Sequence, residues 1–120
     1  EPTAITDAYA FMKVVHFQYG IQEIHFVLNR VDDVAGVKGI FESMKNVAQK
    51  FLNVELSLLG YLREDKTLIK SVKSQKPICI LAPTSPYVKD LLPIAKKITG
   101  QLDIELKKQN LYEKLKGVFR

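Results

Sequence analysis

The sequence predicts an α/β architecture, a parallel sheet flanked by helices. Apolar residues recur at helical spacing over 5–16, 34–51 and 86–98. Between the first two of these stretches and after the second lie short apolar runs, Ile24 to Arg30 and Val54 to Leu62. Helices and such runs alternate, and alternation joins consecutive strands in parallel through helical crossovers.

The first helix reads from Thr3, a capping residue, with Thr6 and Asp7 in its first turn. Ile5, Ala8, Tyr9, Met12 and His16 form its apolar stripe, and Gly20 ends it. Ile24-His25-Phe26-Val27-Leu28-Asn29-Arg30 is apolar on both faces, the pattern of a buried parallel strand. A turn around Asp32-Asp33 leads into a second helix, with Val34, Val37, Ile40, Phe41, Met44, Val47, Ala48 and Phe51 on one stripe. Val54 to Leu62 is the second strand. Asp65 caps a short helix over 66–74 that turns Leu68, Ile69 and Val72 inward. Pro77 to Leu81 reads as a third strand. Ser85-Pro86 opens another helix, a cap followed by proline at the first helical position, and Val88, Leu91, Leu92, Ala95 and Ile98 continue it to Gly100. A last helix is expected over about 101–118. The expected organisation is one unit over 1–100 and an amphipathic helix over 101–120.

The composition excludes several classes. With 47% hydrophobic and 26% charged residues, the 120-residue chain is neither a disordered tail nor a fibre. No run reaches the ~18–20 apolar residues that span a bilayer. The single cysteine, Cys79, forms no internal disulfide, which fits a reducing compartment. One cysteine and two distant histidines, His16 and His25, argue against a zinc site. A net charge of +5 falls short of a dedicated nucleic-acid binder, so no nucleic acid is expected as partner.

Several segments, in order, resemble the C-terminal half of the MinD/ParA class of P-loop ATPases, and within it the FlhG (FleN/YlxH) branch that sets flagellar number. Glu1-Pro2-Thr3-Ala4-Ile5-Thr6-Asp7-Ala8-Tyr9-Ala10 is similar to that branch's "PEPTAITDAYA" helix start. Val27-Leu28-Asn29-Arg30 is similar to its "VxNR" strand end. Leu59-Gly60-Tyr61-Leu62-Arg63-Glu64-Asp65 resembles "LGYVPED", and Ser71-Val72-Lys73-Ser74-Gln75-Lys76-Pro77 resembles "AVRxQRP". Ser85-Pro86 is similar to the start of the penultimate helix.

The resemblance implies the C-terminal part of a P-loop NTPase fold that binds ATP, with Mg²⁺ held by an N-terminal half. The sequence contains no G-x-x-x-x-G-K-[ST], and Gly36 and Gly39 precede no Lys-Ser/Thr pair. The 120 residues alone are therefore expected to hydrolyse no ATP and to need no cofactor, and they read as a piece of a longer protein with further strands on the N-terminal side. By resemblance, Asn29 contacts the adenine base and Arg30 lies beside it. An amide carries one acceptor and two donors, enough for both N6 and N7 of adenine. The loop residues Arg63 and Glu64 carry over more weakly, because Arg63 stands where the family has proline.

Plainer readings stand beside these. Asn29 taken alone reads first as a residue that satisfies backbone groups in a turn, and Arg30 also reads as a solvated strand end. His16 and His25 read as structural and Cys79 as a small buried hydrophobe. Asp32-Asp33 and Glu64-Asp65 read as loop solvation and capping.

Residues 86–120 carry eight basic against four acidic residues, +4 of the chain's +5. Lys107, Leu111, Lys114, Leu115, Val118 and Phe119 build an amphipathic basic helix. Such a helix lies in an anionic membrane interface, at about 1 kcal/mol per well-placed cation, or packs on its own domain. The resemblance implies the first. It also implies an ATP-dependent homodimer, flagellar assembly partners such as an FlhF-like GTPase, and a cytoplasmic protein peripheral at the inner face of the membrane. A cell-division or chromosome-partitioning ATPase of the same class, or a stand-alone α/β interaction module without a nucleotide site, are the competing readings.

Overall fold

In the computed structural model, residues 2–100 are described, together with Asn110 and Lys114. The order is α1 (Pro2–Tyr19), β1 (Glu23–Val31), a 3₁₀ turn (Val34–Gly36), α2 (Val37–Leu52), β2 (Glu55–Arg63), α3 (Lys66–Ser74), α4 (Ile78–Leu81) and α5 (Pro86–Thr99). β1 and β2 pair in parallel, as the α2 crossover between them requires.

The main core lies between the sheet and the α1–α2 pair. Met12, Met44, Ala48, Leu52, Val54 and Leu56 are buried together, with Ala8, Tyr9, Ile24, Phe26 and Phe41 packed against them. The side chains of Val54 and Leu56 are buried almost completely, worth about 1.5–3 kcal/mol each relative to exposure. The α2 stripe is rotated slightly from the expected one. Leu52 faces inward while Phe51 is exposed. α5 packs on β2 elsewhere, burying Val88 and Ile94. It comes close because residue 60 is glycine: a Cβ there would stand 2.6 Å from Ile94 Cγ1.

Caps set the element ends. Asp65 accepts from Thr67 N at 2.8 Å and starts α3. Ser85 Oγ accepts from Val88 N, with Pro86 next to it, and starts α5. Asn53 and Gln75 end α2 and α3 in the left-handed conformation, at φ 51° and 56°. His16 Nδ1–H donates to Ile21 O at 2.7 Å and ties α1 to the chain entering β1.

Five expectations are corrected. Thr3 lies inside α1, which already includes Pro2, and does not cap it. Pro77–Leu81 is no strand: Pro77 O accepts from Ile80 N and Leu81 N, and the chain closes into the single turn α4. Proline has no N–H for a ladder, and its carbonyl instead anchors the turn. Among the described residues the sheet therefore has two strands, not three. Ile69 and Val72 point outward, the latter 70% exposed, because α3 turns Ser71 to the interior, where its hydroxyl donates to Lys76 O. Cys79 is exposed, since in α4 only Ile78 is buried. β1 is only partly buried, with His25, Asn29 and Arg30 exposed. The last helix lies outside the described residues, apart from Asn110 and Lys114, which are helical and exposed. Among the described residues no helix is long and apolar enough to cross a membrane.

Candidate functional site

Parallel strands end together, and their carboxyl ends form the edge where open α/β sheets take ligands. Here that edge is built from Asn29 to Asp33 at the end of β1 and from Arg63 to Asp65 at the end of β2. Two adjoining clefts open on it, of about 530 and 540 Å³. Asn29 and Arg30 line the first, Arg63, Glu64 and Lys66 the second, and Val31 and Asp32 line both.

The strand register shapes this edge. Phe26 pairs with Leu58 but Val27 with Gly60, so β2 carries one extra residue there. Leu28 pairs with Tyr61 and Val31 with Arg63, so β1 carries one extra residue near its end. The second bulge holds Arg30 at φ 55°, a left-handed conformation that costs a non-glycine residue about 1–3 kcal/mol. Bulges re-aim side chains. This one aims Arg30 across the strand ends, where its Nη2 meets Glu64 Oε1 at 3.3 Å. Both side chains are largely exposed, so the pair contributes under about 1 kcal/mol and is free to exchange partners. Asn29 Oδ1 accepts from Arg30 N at 2.9 Å. Its oxygen keeps a second lone pair and its amide nitrogen both hydrogens, so the group still matches a base edge with adjacent donor and acceptor.

Arg63 is placed differently. Its Nε and Nη2 donate to the two oxygens of Asp90 on α5, at 2.8 and 2.9 Å, and its backbone N–H donates to Asp90 Oδ2 at 2.9 Å. Nη2 also reaches Pro86 O at 3.3 Å. Asp90 is buried. Burial pushes its carboxyl up, but the Arg63 hydrogen bonds outweigh burial and hold it below the usual carboxylate range. The same bonds raise the Arg63 guanidinium. Asp65 reaches α5 as well: Oδ1 accepts from Thr67 N, and Oδ2 from Tyr87 N at 3.2 Å. The Thr67 amide, ahead of the cost of burial and with help from Tyr87, holds its carboxyl below the ordinary value.

The structure thus brings Asn29, Arg30 and Glu64 to one edge and commits the Arg63 guanidinium to α5. Sequence reading assigned Asp65 a cap but missed Asp90, whose partner lies 27 positions away and whose motif is unremarkable. Lys107, Leu111, Leu115, Val118 and Phe119 lie outside the described residues. Among the described residues no three His, Cys, Asp or Glu side chains gather as metal ligands.

The chain is similar to the antiactivator FleN of Pseudomonas aeruginosa. The two are 28% identical over 98 residues, which make up 82% of this chain and 35% of FleN. The chain thus spans about a third of the length of the curated relative it matches. No protein-family model matches it. The similarity supports a FleN/FlhG-like relationship.

Proposed function

We propose that this chain forms the base-binding side of an ATP-binding protein of the MinD/ParA class that controls flagellar number or placement. The observation that carries the reading is the strand-end edge. Asn29, Arg30 and Glu64 meet there beside two clefts, in a chain similar along most of its length to an antiactivator of the FleN kind.

On this reading Asn29 hydrogen-bonds the adenine edge and Arg30, released from Glu64, lies against the ring or the ribose. ATP-bound protomers pair, and the dimer presents two copies of the helix carrying Lys107, Leu111, Lys114, Leu115, Val118 and Phe119 to anionic lipid, raising avidity beyond one helix. Hydrolysis, with Mg²⁺ and a P-loop supplied outside these residues, releases the dimer. Flagellar assembly proteins such as an FlhF-like GTPase are its partners.

The test is a titration of the full-length protein with a fluorescent ATP analogue, alongside Asn29→Ala. Binding that weakens about tenfold or more in the variant, the loss of about 1.4 kcal/mol, is the expected result. Unchanged affinity in Asn29→Ala sinks the assignment of the base site. Failure to restore normal flagellar number in Pseudomonas aeruginosa lacking FleN argues against the flagellar role.

A further inference from the structure

The loop that carries Glu64 is held from outside the sheet. Arg63 and Asp65, on either side of Glu64, each bind α5: Arg63 through its side chain and its backbone N–H to Asp90, Asp65 through the backbone N–H of Tyr87. Asp65 simultaneously caps α3. Three backbone amides and one guanidinium are therefore fixed by two carboxylates, and Glu64 stands between them with its own side chain free to face Arg30. Asp90 is 9% exposed, whereas Glu64 and Arg30 lie open to solvent. The rigid part of the arrangement is thus behind the loop and the adjustable part is in front.

We infer that Asp90 is a positioning residue for the nucleotide edge. It fixes the β2–α3 loop against α5 and holds the Arg63 guanidinium on α5. The physical need is clear from the position itself. A loop that offers backbone groups to a ligand binds best when its conformation is settled beforehand, because ordering it on binding costs affinity. Proline at residue 63 would supply such order through its fixed φ, but it has no N–H to give Asp90. Here the order comes from Asp90 accepting that N–H and chelating the side chain above it. The bidentate geometry is one that lysine does not reproduce. The inference rests on the nucleotide reading for its ligand, and on the hydrogen bonds alone for the clamp.

The experiment compares full-length wild type, Asp90→Asn, Arg63→Gln and the double variant by two measurements. The first is affinity for a fluorescent ATP analogue at a temperature where each is folded by circular dichroism. The second is amide hydrogen exchange over residues 63–67 and 87. Asp90→Asn is expected to weaken binding about tenfold and to speed exchange at those amides. The double variant is expected to be no worse than Asp90→Asn, since both remove one clamp. A purely structural Asp90 would lower the melting temperature and leave the affinity of the folded protein unchanged, and that result overturns the inference while leaving the nucleotide reading intact. Unchanged exchange in Asp90→Asn overturns the clamp itself. Absence of binding by the wild type overturns the nucleotide reading, and with it the positioning role toward a nucleotide, even where exchange shows the clamp.

Discussion

Asp90 binds Arg63 at three points, its Nε, its Nη2 and its backbone N–H, all within 2.9 Å. This relationship joins the end of β2 to α5, and with Asp65 it makes two carboxylates depend on the folded state for their low pKa. Unfolded, both return to about 3.9. Because their folded values are depressed, the unfolded chain binds more protons in acid. The stability they contribute is present above about pH 4 and is lost as pH falls through the depressed values. Urea midpoints measured from pH 7 down to pH 3 are expected to fall in the wild type and to fall less steeply in Asp65→Asn and Asp90→Asn. Equal acid slopes in all three proteins contradict this.

Asp90→Asn at neutral pH leaves a charged donor and a backbone N–H with a weaker acceptor. It is expected to destabilise the fold by about 1.5–3 kcal/mol, the range for hydrogen bonds to charged groups. Chemical denaturation reads this directly, and a loss below 0.5 kcal/mol (about the noise of surface substitutions) would show that the clamp contributes little to stability.

Gly60 makes room for Ile94. An added Cβ would overlap Ile94 Cγ1, and Ile94 is buried and β-branched, so its side chain has few rotamers to move into. Gly60→Ala is expected to cost about 1–3 kcal/mol by overpacking, and Gly60→Ala with Ile94→Ala to cost less than the sum of the single changes. Additive losses would mean that the two positions do not touch.

Arg30 sits at φ 55° in its bulge. Glycine adopts that conformation without the Cβ penalty. Arg30→Gly is expected to be neutral or to stabilise by up to about 1 kcal/mol despite losing the exposed Glu64 pair, while Arg30→Ala gains nothing. The comparison of the two melting curves decides it, and a Gly variant less stable than the Ala variant rules out the left-handed conformation.

Cys79 lies on the outer side of α4. A thiol reagent is expected to label it in the native protein at a rate close to that of an unfolded thiol. Protection until denaturant is added would restore the buried strand that the sequence suggested over Pro77–Leu81.

Much of this fold was legible in the residues. The spacing of Met12, Met44 and Ala48 fixed which helix faces meet the sheet, and Asp65 and Ser85-Pro86 marked helix starts, because caps and periodicity are local physics. Asn29 and Arg30 were legible as strand-end residues for the same reason. Position along a strand is written in the chain itself. Ile-Cys-Ile-Leu after Pro77 was not, since four apolar residues suit a strand or a helical turn equally. The choice fell to Pro77, whose carbonyl closed the turn, and to Ile78, which alone found a place inside. The outward Ile69 and Val72 follow from Ser71 satisfying Lys76 O. The pairing of Arg63 with Asp90, and of Arg30 with Glu64, required the sheet register and the seat of α5 on Gly60. Sequence determines what each residue is able to do locally. Which partner a charged side chain takes depends on distances between segments far apart in the chain, and only tertiary packing sets those.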